Sequence, residues 1–398
     1  MPTAGTRIRI RVRMSARPID EPHRVSSQLE LLFDLTFVVA VAAVTAQLAH
    51  RVADGHALAG IAPFLQVFFA IWWAWMNFTW FASSYDTDDV AYRLLTMLQM
   101  AGVLVLAAGV PAAADDSDYR AVTLGYLIMR IGLVCQWLRV GVEDPASRRT
   151  ALRYAAGITI LQVGWILRLL LLDTGAWPPS TQLTLFAILA VLELAVPWWA
   201  ERSMTTNWHP HHIAERYGLF TIILLGESVL AATTGVQGAL HTAEISRSFI
   251  TIAVSSLVLL FALWWLYFLE PAGEALSDRR NRSYLWGYGH YGIFAALTAL
   301  GAGLEVAVEQ TGHHLKASPL AVGYAVAIPV GVFLTLLWAV HAPIVAEPVI
   351  APTLVLGSVT LILLLPLAVG QIGVSAVVAA IAAVCVLLIA ATITRRTG

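Results

Sequence analysis

The chain contains a succession of apolar stretches, each about twenty residues long and bounded by charged residues, proline or glycine. A helix needs about 20 apolar residues to cross the hydrocarbon core of a bilayer. The pattern therefore predicts an all-α, polytopic transmembrane helical bundle of about 12 spans. The predicted spans lie near residues 29–50, 61–82, 93–113, 119–139, 151–172, 182–200, 212–236, 247–269, 286–308, 319–341, 350–368 and 371–394. Only Gly370 and Gln371 separate the last two, so this region is predicted as two spans or as one broken or re-entrant element.

Composition supports a membrane protein, because 59% of the residues are hydrophobic and only 12% are charged. Soluble domains carry about 25% charged residues. These values exclude disordered, coiled-coil, disulfide-scaffold and nucleic-acid-binding classes. Membrane lipids are the expected partners, an unidentified small molecule or ion is compatible, and so is a homo-oligomer. No cofactor is predicted from the sequence.

Basic residues predict the orientation of the spans, because cytoplasmic segments of membrane proteins are enriched in arginine and lysine. With the N-terminus inside, 17 of the 24 basic residues fall on the cytoplasmic side. Four fall on the opposite side, namely Arg51, Arg120, Arg247 and Lys316. The predicted organisation is a basic cytoplasmic N-terminal segment (1–28), a first transmembrane half (29–200), a cytoplasmic linker (201–212) and a second transmembrane half (213–398). The first span is predicted to stay uncleaved.

The two halves show a weak internal similarity. Glu30 and Thr36 align with Glu215 and Thr221, Trp72-Trp73 align with Trp264-Trp265, and Gly109 aligns with Gly301. A repeat of six helices preserves direction, which predicts a 6+6 parallel pseudo-repeat about an axis along the membrane normal. Chance similarity between apolar segments is the alternative.

Ionisable residues inside predicted spans are candidates for function, because burying a charge in lipid is unfavourable unless it is paired or used. Glu227 lies 12 residues beyond Glu215, about 18 Å along a helix, which places it mid-membrane. Arg130 lies at similar depth and is the expected counter-ion of Glu227; a purely structural pair of Arg130 with Glu227 or Glu193 is the alternative. Glu227, Arg130, Glu193 and Asn77 are therefore the candidate substrate- or ion-binding residues.

Two further polar groups lie toward the cytoplasmic side. The first is a candidate gate or structural charge network, consisting of Glu30, Asp34, Arg93, Glu215 and Arg216. The second is an acidic cluster in the loop after the second span, consisting of Asp86, Asp88 and Asp89. Such carboxylates could hold Mg²⁺ if a second acidic motif faced them, but the corresponding loop of the second half reads Asp278-Arg279-Arg280, so no metal site is predicted.

Several motifs resemble those of the bacterial low temperature requirement protein A family. They are Glu30-Leu31-Leu32-Phe33-Asp34-Leu35-Thr36-Phe37-Val38, Asn77 with Asp86 and Arg93, Tyr126 with Arg130, and the stretch His212 to Ser228. The resemblance covers about residues 30–230, and Leu32 departs from the aromatic residue expected there. It implies a multi-pass bacterial inner-membrane protein, named for growth in the cold, and it supplies no reaction or substrate.

The leading functional hypothesis is a transporter-like protein whose central polar site lies on the first, fourth and seventh spans. The second is an intramembrane enzyme acting on a lipid or isoprenoid with carboxylate acid–base groups, with or without assistance by Mg²⁺. The third is a membrane stress factor that transports nothing. Depth and charge alone leave these three open.

Overall fold

The computed structural model describes residues 10–19, 21–22, 24–173, 178–241, 246–270, 272–312 and 314–397. Of the described residues, 82% are helical and none lies in a strand, so the predicted all-α bundle is confirmed. The helices in chain order are α1 (Gln28–Ala53), α2 (Ala57–Tyr85), α3 (Val90–Ala108), α4 (Val110–Asp115), α5 (Arg120–Glu143), α6 (Arg148–Asp173), α7 (Pro179–Ala200), α8 (Pro210–His241), α9 (Arg247–Phe268), α10 (Ala272–Asp278), α11 (Ser283–Glu309), α12 (Pro319–His341), α13 (Pro352–Leu364) and α14 (Val369–Thr397).

Ten stretches among the described residues are long and apolar enough to cross a membrane. Every one of the twelve predicted spans overlaps a helix, although 93–113 covers both α3 and α4. The region Pro352–Arg396 counts as a single stretch among the ten, and α8 is not one of the ten. Gly373 interrupts this region with a non-helical φ of 80° and ψ of 162°. Segments 352–372 and 374–397 on either side each contain about 20 residues or more, the length that a bilayer core requires.

Helix starts follow the local sequence. Ser27 and Glu30 form a capping box at α1, because the Ser27 N–H donates to Glu30 Oε2 at 2.7 Å and the Glu30 N–H donates to Ser27 Oγ at 3.3 Å. The side chains of Asp89, Ser246 and Ser318 cap α3, α9 and α12 by accepting a backbone N–H. Polar residues between the apolar stretches therefore set where these helices begin.

The chain divides into two compact units. The first unit contains residues 1–40 and 69–213. Its interior is rich in aromatic rings, with Trp72, Trp73 and Trp75 at most 1% exposed. Trp137 of α5 stacks on Tyr154 of α6 at 4.1 Å between ring centroids. Helices α3 and α5 approach closely at Gly102 and Gly125, where a side chain on either residue would collide with the facing backbone.

The N-terminal segment packs onto the first unit. The Val12 N–H donates to Asp89 Oδ2 at 2.9 Å, and the Met14 N–H donates to Glu143 Oε2 at 2.7 Å. Met14 is fully buried, and the Arg17 N–H donates to the carbonyl of Ser84 at 2.9 Å. Among the described arginines of this segment, Arg11 pairs with Glu143 at 3.1 Å, Arg13 donates to the Glu143 carbonyl at 2.8 Å, and Arg17 pairs with Glu21 at 2.5 Å.

The second unit contains residues 41–68 and 214–398. Its most buried span is α11, which packs along α12, and the backbone of Ala325 lies against Gly303. Trp264 and Trp265, aligned above with Trp72 and Trp73, are 45% and 49% exposed on α9. The aligned tryptophans therefore differ in burial, and the internal repeat stays a prediction.

Candidate functional site

A carboxylate cluster forms around Glu193 inside the first unit. Glu193 on α7 accepts hydrogen bonds from Trp73 Nε1 at 2.8 Å, Tyr126 OH at 3.0 Å and Trp165 Nε1 at 3.1 Å. Arg130 Nη2 lies 3.5 Å from Glu193 Oε2 and donates to the Tyr126 hydroxyl. Helices α2, α5, α6 and α7 thus each contribute a group, and Arg130 and Glu193 are only 2% and 1% exposed.

This geometry identifies Glu193 as a counter-ion of Arg130. An ionised carboxylate with several charge-assisted or neutral donors is well satisfied in a nonpolar interior. Arg130 is less well satisfied, because its Nε and Nη1 atoms are buried without a hydrogen-bond partner in the described structure. The amide of Gln162 on α6 is also buried and unpartnered there. Arg130 therefore combines a structural ion pair with donors that remain available to an anion or a water molecule.

Sequence analysis missed the aromatic donors of this cluster. Trp73 and Trp165 carry an indole N–H at membrane depth, and a buried indole N–H usually requires an acceptor. That requirement was a usable signal, since few acceptors exist in these spans. The partner of each tryptophan is set by tertiary packing, which the sequence does not display.

Glu227 has a different environment, within the second unit. It is 8% exposed on α8, and its Oε2 atom is buried without a hydrogen-bond partner among the described residues. The neighbouring Ser228 lies close to α11, because a Cβ at Gly301 would meet Ser228 Oγ at 2.9 Å. The same Cβ would meet Thr45 Cγ2 of α1 at 3.4 Å. Glu227 is therefore on a helix that packs tightly where α1, α8 and α11 meet.

Glu305 of α11 adds a second carboxylate near Glu227. Glu305 lies one turn beyond Gly301, the residue of α11 that faces Ser228, and Glu309 lies one further turn along the same helix. Carboxylates that share a membrane interior bind protons or cations more readily than isolated ones, because a bound positive charge relieves the repulsion. This arrangement suits exchange of a proton or small cation.

Asn77, the fourth predicted binding residue, is engaged locally. Its Nδ2 donates at 2.7 Å to the carbonyl of Trp73, one turn earlier in α2. Asn77 therefore satisfies its amide on its own helix and lies one turn from a residue of the Glu193 cluster.

The residues predicted as a gate network have different partners. Asp34 accepts from Trp75 Nε1 at 2.7 Å, whereas exposed Arg93 pairs with Asp88 at 2.8 Å. Glu30, besides its capping role, lies 3.5 Å from Arg24 and 3.1 Å from His212 Nε2. In the second unit, Glu215 is half-buried and Arg216 fully buried on α8.

The acidic loop cluster is bound by arginines and backbone amides. Asp86 lies 3.7 Å from Arg17 and 3.5 Å from Arg24. Burial and the nearby Glu30 carboxylate raise the pKa of Asp86 to about 6, although both arginines oppose this change. At Asp89 burial is outweighed by hydrogen bonds from Arg139, Val12 N–H and Tyr92 N–H, and its pKa falls to about 2.

This loop therefore serves as a structural junction. Its carboxylates hold the N-terminal segment, α3 and α5 together, and the described chain contains no group of three potential ligands that could hold a metal ion. Arg17, Arg24 and Arg139 had not been connected with these carboxylates from the sequence, because their partners are distant along the chain.

The comparisons with known proteins identify one family. Residues 25–392 match the model of the bacterial low temperature requirement A protein (LtrA) family. The uncharacterized protein RA0937 of Rhizobium meliloti (strain 1021) is 28% identical over 302 residues, which cover 70% of this chain and 69% of the relative. No solved structure matches the chain significantly.

The family motifs named from the sequence, between residues 30 and 228, all lie inside the matched region. This region begins just before α1 and ends within α14. Ten span-length apolar stretches and the helical fold agree with a multi-pass membrane protein. The chain belongs to the bacterial low temperature requirement A (LtrA) family of multi-pass membrane proteins.

Proposed function

We propose that this protein is a transporter that moves a proton or small cation across the bacterial inner membrane, with Glu227 as the exchanging carboxylate. The observation that carries the proposal is the buried Oε2 atom of Glu227, which has no hydrogen-bond partner among the described residues. The sequence predicts that this helix crosses the membrane, and a carboxylate kept in this condition at membrane depth is unfavourable unless it is used.

Glu305 supports the proposal as a second acceptor. The negative charges of neighbouring carboxylates repel, so a proton or cation bound at one carboxylate relieves the other. In the proposed cycle, Glu227 binds the cation and Glu305 receives it or shares it toward the end of α11. Ser228, the next residue of α8, donates its hydroxyl to the Leu224 carbonyl at 3.2 Å, and the Ser228 oxygen remains an acceptor next to Glu227.

The Glu193 cluster has a separate role in this proposal. Because Glu193 on α7 receives donors from three other helices, it fixes the first unit as a rigid support. The two unpartnered nitrogens of Arg130 make it the candidate anchor for an anion that accompanies the cation.

The proposed orientation places the N-terminus in the cytoplasm. The excess of basic residues on that side supports this arrangement, as does the family's bacterial origin.

Proteoliposomes containing the purified protein test the transport proposal. Proton, Na⁺ and K⁺ fluxes are measured under an imposed membrane potential, with wild type compared with Glu227→Gln and with Glu347→Gln, an exposed carboxylate between α12 and α13. We expect flux in the wild type and in Glu347→Gln, and loss of flux in Glu227→Gln. Equal flux in wild type and Glu227→Gln would remove the role of Glu227.

A membrane stress factor without transport is the second candidate. The closed Arg130–Glu193 cluster favours it, because such a network rigidifies a bundle without any ligand. Wild-type fluxes no greater than those of protein-free liposomes for all three ions would overturn the transport proposal and support this candidate.

A further inference from the structure

The second unit contains an elongated apolar cavity that the proposed function does not use. Its volume is about 490 Å³, within the range of about 300–1,000 Å³ typical of small-molecule pockets. The walls come from the end of α1, the beginning of α2, the middle of α11 and the first half of α12. Along α12 the cavity extends from Ala321 to Val332, about 16 Å at 1.5 Å per residue.

Small side chains create this space. One face of α11 contributes four small residues to the cavity wall, at helical spacing: Gly292, Ala295, Ala296 and Ala299. The phenol of Tyr291 donates to the carbonyl of Leu65 at 2.9 Å and holds α11 against α2 beside these residues. On its α11 side, the cavity is therefore bounded by the Tyr291–Leu65 hydrogen bond and by residues with short side chains.

One side of the cavity faces the lipid. Several of its lining side chains are exposed on apolar helix faces, including Leu58 at 86%, Ile328 at 50% and Ile61 at 45%. An apolar chain could enter laterally from the bilayer, and the almost wholly apolar wall offers no site for a polar solute.

The turn between α1 and α2 forms one end of the cavity, and basic side chains lie beside this end. The Cβ and Cγ atoms of Arg51 lie against Gly60, one turn from the lining residues Ala57 and Phe64. The loop before α12 docks on this turn, because the Ala317 N–H donates to the carbonyl of Ala53 at 3.0 Å. This loop places Lys316 beside the turn. The Lys316 side chain is 75% exposed, and its Nζ atom lies 3.1 Å from Asp54 Oδ1.

These two charges are unusual for this end of the molecule. Only four basic residues of the chain are predicted on the non-cytoplasmic side, and Arg51 and Lys316 are two of them. Orientation alone disfavours basic residues there, so their position beside an apolar cavity points to an anionic group at its mouth.

We propose that this cavity binds one acyl chain of an anionic glycerophospholipid, whose phosphate lies against Arg51 and Lys316. The apolar walls match the hydrocarbon chain, and the basic residues match the headgroup by charge complementarity. The site is distinct from Glu227 and does not depend on transport.

Native mass spectrometry of the detergent-solubilised protein tests the assignment. Wild type is incubated with equal amounts of phosphatidylglycerol and phosphatidylcholine, and the retained lipid is counted. We expect one retained phosphatidylglycerol per chain. Ala299→Phe and Ala321→Phe, which fill the cavity, should lose it, whereas Ala101→Phe on the exposed face of α3 should retain it. Thermal unfolding of each variant confirms that the fold is kept.

The headgroup is tested separately. Lys316→Gln should keep a bound lipid but lower the preference for phosphatidylglycerol over phosphatidylcholine about fivefold, whereas Arg120→Gln, an exposed change in the first unit, should not. Equal retention by the filled variants and wild type, or no headgroup preference in wild type, would overturn the proposal. Stronger retention of a polyprenyl phosphate in competition would replace the glycerophospholipid with an isoprenoid.

Discussion

At the residue scale, two glutamates with similar sequence settings have opposite chemical environments. Glu193 receives three neutral donors and an arginine, whereas the Oε2 atom of Glu227 is buried without a partner in the described structure. Both were predicted as buried acids inside apolar helices. Packing decides which is structural, because the donors that satisfy Glu193 come from three other helices.

Replacing Glu193 should destabilise the first unit strongly. Glu193→Ala leaves the buried Arg130 charge uncompensated and Trp73, Tyr126 and Trp165 without their acceptor, and we expect a loss of about 3–5 kcal/mol. Thermal unfolding in detergent measures the effect. Arg130→Leu combined with Glu193→Leu removes both charges and should recover part of the loss. An unchanged melting temperature in Glu193→Ala would contradict the structural role.

The pKa of Asp86 predicts a pH dependence of stability. The folded value is about 6, above the ordinary value of 3.8, so between these pH values the folded state binds more protons than the unfolded state. The free energy of unfolding should therefore fall as the pH rises from about 4 to about 6. The total change is up to ~3 kcal/mol, at 1.36 kcal/mol per pH unit.

Asp86→Asn should remove this component, because asparagine does not titrate. Denaturant or thermal unfolding of wild type and variant across pH 4–8 measures the difference between them, in which the contributions of other groups largely cancel. Parallel pH curves for the two proteins would show that Asp86 titrates normally in the folded state.

At the element scale, glycine seams determine how closely the helices pack. A Cβ on Gly125 would lie 2.3 Å from the Leu106 nitrogen and 2.5 Å from the Gly102 oxygen, both backbone atoms that cannot move independently. Gly226 on α8, by contrast, has nothing within 4 Å of such a Cβ. The sequence shows both as glycines in apolar helices and does not distinguish them.

Gly125→Ala should force α3 and α5 apart and destabilise the protein by about 1–3 kcal/mol. Gly226→Ala is the matched control and should be neutral or stabilising by up to ~1 kcal/mol, since alanine favours a helix more than glycine does. Melting temperatures in one detergent compare the two. Equal destabilisation by both substitutions would contradict the α3–α5 seam.

At the scale of the whole molecule, the predicted orientation can be tested by chemical labelling. In a background with Cys135→Ala and Cys385→Ala, Lys316→Cys should react in intact cells with a maleimide that cannot cross the inner membrane. Met204→Cys, between α7 and α8, should react only after that membrane is broken. Reversed labelling would place the N-terminus outside.

The sequence by itself determined the all-helical membrane fold, the positions of its helices and the residues that are polar at membrane depth. It could do so because span length, hydropathy and caps are local properties of the chain. The sequence left two possibilities for residues 350–394, two spans or one broken element, and the structure adds that Gly373 breaks the helix there.

Tertiary structure alone decided which polar residues meet. Glu193 with Trp165, Asp86 with Arg24, and Lys316 with Asp54 are contacts between helices or loops separated along the chain. The apolar cavity likewise exists only because small residues of α11 and α12 face α1 and α2. In a chain where most residues are apolar, hydropathy cannot select which helical faces pack together; shape and hydrogen-bond pairing do, and these become defined only when the helices assemble.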